Sequence, residues 1–167
     1  PREYDIIIPK PDEHPHHPLA NRVTFFRDQL IGGRRFLIPP FLIDICRFFD
    51  IPLQQFVPNV FCYLCGTYML FRIFDISPIP QIFFMFSYPK VAEPGVFLFQ
   101  SRTKMVLFDD MPSSLKAWKS RFFFIKFSGP IPWSHAWRSS LPPLPDIKEF
   151  RLHPSFPLYY EKLLCHH

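Results

Sequence analysis

The sequence predicts an α+β fold: a helical N-terminal half of about four short helices, then a small antiparallel sheet, with proline-rich termini. Three observations predict it. Apolar residues recur at helical spacing between positions 21 and 90, while runs between 95 and 128 are rich in β-branched and aromatic residues bounded by turn residues. The third is that 21 prolines stand against 5 glycines in 167 residues, which keeps every element short. That length suits one domain with a proper core and is too short for two. The expected organisation is an extended Pro/His-rich arm over 1–20, a globular domain over 21–140 (helices in 21–90, strands in 95–128), and a proline-rich segment over 141–167. With 22 Phe, the core is expected to be aromatic.

Within the arm, Asp5-Ile6-Ile7-Ile8 predicts a short strand, and the following PKPDEHPHHP is held extended by its prolines. His14, His16 and His17 invite a metal, but no cysteine or acidic partner stands at a ligand spacing, so they are expected to be a solvent-exposed linker. Asn21 or Thr24 is expected to cap a helix through Phe25, Phe26 and Leu30, stopped by Gly32-Gly33. The GGRR there lacks the further glycines, the Lys-Ser/Thr and the preceding strand of a phosphate loop. Pro39-Pro40 opens a second helix, with Phe41, Ile45, Phe48 and Phe49 opposite Asp44, Arg47 and Asp50, and Ile51-Pro52 ends it. A third starts at Pro58 and runs to about Phe74, turning Val60, Phe61, Leu64, Cys65, Tyr68 and Phe71 inward. Ser77-Pro78 introduces a fourth over 80–88, and a last short helix is expected over 157–164.

After Pro94-Gly95, the runs VFLFQSR, KMVLFDD and SRFFFIKF read as strands. In the last, Arg121, Phe123, Ile125 and Phe127 share one face, and Phe122, Phe124 and Lys126 share the other. Both faces are mainly apolar. That predicts a central strand covered on two sides rather than a surface stacking on bases, which exposes one or two aromatics beside polar neighbours.

Several function classes are weighed against the residues. Residues 56–71 are uncharged but contain Pro58 and end at Arg72, short of the ~20 apolar residues a span needs, so a buried helix and no membrane partner are expected. No secretory signal follows Arg2-Glu3-Tyr4-Asp5, and Cys46, Cys62, Cys65 and Cys165 form no dense disulfide pattern; reduced thiols in the nucleus or cytoplasm are expected. Opening on Pro1 rather than Met, the chain is expected to be part of something longer. Cys62 and Cys65 form a lone CxxC among apolar neighbours, whose only further zinc ligands would be Cys165, His166 and His167. Small core residues explain it better. Ser134-His135 lies in a proline-tryptophan loop without a GxSxG. Asp109-Asp110 is the one carboxylate pair resembling a metal-dependent nuclease or strand-transfer site, and no third carboxylate joins it. No catalytic residue, metal ligand or cofactor is therefore assigned. The net charge of +5 permits contact with DNA or RNA, with Lys104, Lys116, Lys119, Arg121 and Lys126 as a loose candidate set.

The ordered segments PREYDIIIPKPDEHPHHP, TFFRDQL, IPPFLIDICRFFDIPLQQFVPN, PQIF and WKSRFFFIKF resemble a plant domain family named for gypsy-type transposons. Its most specific parts are the second-helix segment and the Lys-x-Trp-Lys-x-x-Phe-Phe pattern of Lys116, Trp118, Lys119, Phe122 and Phe123. The resemblance implies an origin in plant long-terminal-repeat retroelements or host proteins carrying their remnants, near the start of a polyprotein. The family carries a transposase-type label but brings no catalytic residues, and Phe48, Trp118, Phe122 and Phe123 are expected to be core positions. Joined to the missing catalytic constellation, the resemblance implies a non-enzymatic structural or interaction domain, with capsid-like self-association or weak nucleic-acid binding. The alternative is a transposition-related DNA-processing enzyme or accessory using Asp109 and Asp110 with a divalent metal.

Overall fold

The computed structural model describes residues 4–36, 38–102, 106–108, 117–131, 133, 135–148 and 156–164. In chain order its elements are β1 (Tyr4–Ile7), β2 (Arg22–Phe26), α1 (Arg27–Ile31), α2 (Pro40–Phe49), α3 (Pro58–Ile73), α4 (Pro80–Phe86), β3 (Ser87–Glu93), β4 (Val96–Ser101), β5 (Phe122–Phe127) and α5 (Phe156–Leu164), with single 3₁₀ turns at Leu53–Gln55 and Trp118–Ser120. The class is α+β, with short helices and small antiparallel sheets. β5 lies at the centre of a three-stranded sheet in the order β1-β5-β2, and β3 pairs with β4 as a separate hairpin.

The central strand is where its two apolar faces put it. Phe124 and Ile125, one on each face, are both 1% exposed. Its two partners come from the N-terminal part of the chain. The apolar run of the arm forms β1, pairing Ile6 with Ile125. The segment from Asn21, expected to be helical, is instead β2, and only Arg27–Ile31 coils. Val23, Thr24, Phe25 and Phe26 are all buried, so this short run covers two faces at once, as a strand does and an amphipathic turn of helix does not. Local helical spacing yielded to pairing with β5 from Arg22↔Lys126 to Phe26↔Phe122.

α2 and α3 match the expected bounds, each with proline at its first turn. On α3, Val60, Phe61, Leu64 and Phe71 are buried as expected, joined by Tyr63 and Thr67, while Cys65 and Tyr68 are half-buried. α4 stops at Phe86 rather than Tyr88, because Ser87 already begins β3. Pro89 hides that strand from the residue pattern, yet its missing N–H is tolerated in a two-stranded ribbon. Val106, Leu107 and Phe108, from the expected KMVLFDD strand, are not in a strand; the rest of that run lies outside the described residues. The final helix, α5, is tied to the end of α3 by the Lys162 ammonium donating to the Phe74 carbonyl at 3.0 Å.

The core is aromatic. Phe83 of α4 meets Phe41, Phe49, Tyr63 and Phe99 edge-on, with centroids 4.8 to 6.4 Å apart, joining α2, α3, α4 and β4 around one ring. Phe25, Phe36 and Phe123 form a second group against the three-stranded sheet. α1 approaches the start of α3 so closely that a Cβ on Gly32 would lie 2.2 Å from the Pro58 carbonyl oxygen.

Two polar side chains are buried at this junction. Gln29 donates its amide to the carbonyls of Leu53, Gln54 and Phe56 at 2.7 to 3.5 Å, and its own carbonyl oxygen accepts from Arg34. The Arg34 guanidinium, 1% exposed, lies 3.5 Å over the Phe25 ring, and burial pushes its pKa down to about 9, leaving it charged at neutral pH. Its Nε and Nη2 have no partner among the described residues. A buried cation held by one amide and two rings favours replacement by an apolar chain of similar volume. Arg34→Met removes the buried charge but leaves the Gln29 carbonyl oxygen without its donor, so the two effects oppose and the net change in stability is expected to stay within about 2 kcal/mol, of either sign. Gln29→Leu strands both the guanidinium and the three carbonyls, and is expected to cost about 3 kcal/mol or more in urea unfolding.

Candidate interaction surface

The 3₁₀ turn Leu53–Gln55, between α2 and α3, carries two adjacent buried glutamines that pin a distant loop. Gln54 donates to the His135 carbonyl at 2.8 Å. Gln55 donates to the carbonyls of Gly95 and Arg138 at 2.7 and 2.6 Å, and accepts from the Arg138 N–H at 2.8 Å. The Arg138 guanidinium pairs with Asp50, which ends α2 in the left-handed conformation. So held, the loop lays Trp137 over Gly95 in the β3–β4 turn, where a Cβ would come within 2.6 Å of the indole nitrogen.

The arm also meets Trp137. His16 stacks on the indole with centroids 4.0 Å apart. The arm is fixed just ahead of that stack: Thr24 donates its hydroxyl to the Pro15 carbonyl at 2.6 Å, and Arg22 pairs with Glu13 at 2.9 Å. The segment expected to be a solvent-exposed linker keeps His14, His16 and His17 at the surface and is docked on the domain through these contacts. Partial burial, then the nearby charge of Lys119 and those of His17 and His14, lower the His16 pKa below its ordinary 6.5. Lys119 bonds Glu93 at 2.6 Å and completes a surface of imidazole, indole, ammonium and carboxylate. Chemically, this offers a flat aromatic edge beside one cation.

Of the candidate nucleic-acid residues, Lys119, Arg121 and Lys126 are among the described residues. Lys119 belongs to the surface just described; Arg121 pairs with the buried Asp28 at 2.6 Å; Lys126 is exposed, between Asp5 of β1 and Arg22 of β2. Lys104 and Lys116 lie outside the described residues, as do Asp109 and Asp110. The motif aromatics all pack. Trp118, 5% exposed, meets Phe26 edge-on at 4.6 Å; Phe48 contacts Phe49 and Phe84; Phe122 and Phe123 lie half-buried against Phe26 and Phe25. Cys46 is buried, Cys62 and Cys65 are half-buried, and all three are free thiols. Burial, with Cys62 alongside, raises the Cys65 pKa and disfavours a reactive thiolate. Among the described residues, no three His, Cys, Asp or Glu side chains gather as a metal site, and no helix is long and apolar enough to cross a membrane.

The Trp137–His16 stack escaped the sequence because its partners lie far apart in the chain and meet only once it is folded. Comparison of the chain with protein-family models, curated proteins and solved structures gave no match.

Two outcomes are expected here. Because folding lowers the His16 pKa, the unfolded state takes up the proton first as pH falls, so the stability of the docked arm is complete above about pH 6.5 and declines below it. Tryptophan emission is expected to shift between about pH 7 and about pH 5, and His16→Gln to flatten that change. Gln55→Leu leaves two carbonyls and one N–H unpaired, and is expected to cost about 3 kcal/mol and red-shift the emission as the loop detaches.

Proposed function

We propose that this chain is a non-enzymatic structural and interaction domain of a plant gypsy-type retroelement polyprotein or its remnant, acting by self-association with weak, salt-sensitive contacts to nucleic acid. One observation carries it. The eight buried polar side chains among the described residues are Thr24, Asp28, Gln29, Arg34, Gln54, Gln55, Thr67 and Ser87, and each bonds the backbone or another side chain of the fold. This is the chemistry of a scaffold, in which polar groups hold elements in place. The segment resemblance supports the retroelement origin, and the cysteine usage supports a nuclear or cytoplasmic setting. Pairing of Lys119 and Arg121 with Glu93 and Asp28 supports weak rather than tight phosphate binding, since each contact must displace a carboxylate.

Size-exclusion chromatography with light scattering, read at the nucleic-acid and protein absorbance maxima, tests this role. A multimeric peak, with any nucleic acid stripped by raising salt several-fold, is the expected outcome. A monomer that neither assembles nor retains nucleic acid would overturn it. So would a hydrolytic or strand-transfer activity abolished by Asp109→Asn or Asp110→Asn.

A further inference from the structure

β4 has one edge on β3, and its other edge is only partly covered. Val57 donates its N–H to the Phe97 carbonyl at 3.0 Å, and Phe56 bridges Phe97 in parallel, so the chain entering α3 begins to pair along this second edge. Pro58 then turns the chain into α3 and the pairing stops.

Two residues on, Phe99 lies opposite Pro89 in the β3–β4 ladder. Proline has no N–H to give, so this is a non-hydrogen-bonded pair, and the N–H and C=O of Phe99 point away from β3. Phe97 has the same parity, and its outward carbonyl agrees. Among the described residues, no backbone group pairs with the outward groups of Phe99.

That uncovered edge borders a pocket of about 300 Å³. It is lined by four consecutive residues of β4, 98–101; a sheet face would contribute only alternate residues, so the pocket opens on the strand edge. Asn59, Val60 and Tyr63 of α3 form the facing wall, and Phe108 closes one end by packing against Gly66 and edge-on to Tyr63. The Tyr63 hydroxyl is bonded to Ser87 and Ser101. Among the described residues, no charged side chain lines the pocket.

We propose that an uncharged, extended peptide of a protein partner docks here as an added strand. It pairs with the outward backbone of Phe99 and inserts one large apolar side chain between α3 and Phe108. The intramolecular pairing of Val57 with Phe97 marks where strand pairing on this edge starts, and the pocket accommodates the side chain of the residue that continues it. The uncharged lining selects a neutral segment, since an ionised group entering there would lose hydration without a partner. This partner class rests on the interaction-domain role proposed above.

The test is an NMR titration of the full, isotope-labelled chain with acetyl-Thr-Val-Phe-Val-Thr-amide. Saturable shifts are expected at the amides of Phe99, Gln100 and Ser101. Binding is expected to weaken about tenfold or more with Ala in place of the central Phe. Asn59→Trp, which fills the pocket from the helix surface, and Ser101→Pro, which removes an edge N–H, are each expected to abolish the shifts; one well-folded variant of the two is sufficient. Lack of saturable shifts with central Phe, Leu and Tyr peptides at millimolar concentration would overturn the inference, as would binding that survives in a folded variant. A domain dimer lost in Ser101→Pro would assign the edge to a second copy and overturn the peptide partner. A chain that assembles yet takes up no peptide would refute this docking site alone, leaving the interaction role standing.

Discussion

The turn at Leu53–Gln55 is the constraint on which the other elements depend. A chain with 21 prolines has many backbone carbonyls that no regular ladder can satisfy, and a buried carbonyl without a donor costs about 1–3 kcal/mol. Here the donors are side-chain amides. Gln29 reaches into the turn from α1, while Gln54 and Gln55 reach out of it to the loop around Trp137 and to the β3–β4 turn. Three glutamines thus do for irregular backbone what ladder hydrogen bonds do for strands. They also fix α1, the hairpin and the 135–138 loop relative to one another.

The aromatic residues supply burial without much shape of their own, and geometry comes from how they meet. Phe83 touches four rings from three other elements nearly edge-on, an arrangement that a core of aliphatic side chains would not orient. Arg34 belongs to the same logic. Its guanidinium takes the place of another flat group over Phe25, and Gln29 gives it its one hydrogen bond among the described residues. The charge is tolerated because the delocalised, planar cation is weakly hydrated and can stack.

Charge at the surface is organised by pairing rather than by patches. Arg22 pairs with Glu13 nine residues away, whereas Lys119 with Glu93, Arg121 with Asp28 and Arg138 with Asp50 each join segments distant in sequence. Of these, Arg121 with the fully buried Asp28 connects the entrance of β5 to α1, and the backbone repeats the link where the Arg27 N–H donates to the Arg121 carbonyl at 2.8 Å. Arg121 near β5 is therefore a clamp between elements.

Periodicity and proline positions alone determined α2, α3, α5 and the two-faced burial of β5, because each depends on neighbours a few residues away. Helix bounds at Pro40 and Pro58 follow from the fixed φ of proline, which no distant contact alters. Only the tertiary structure decided that Arg22–Phe26 is a strand and that the arm is docked. Both rest on partners about a hundred residues away, β5 for the first and Trp137 for the second. The edge of β4 belongs to the same class. Its pocket exists because α3, β4 and Phe108 meet there, and no local pattern of residue types carries the distance between them.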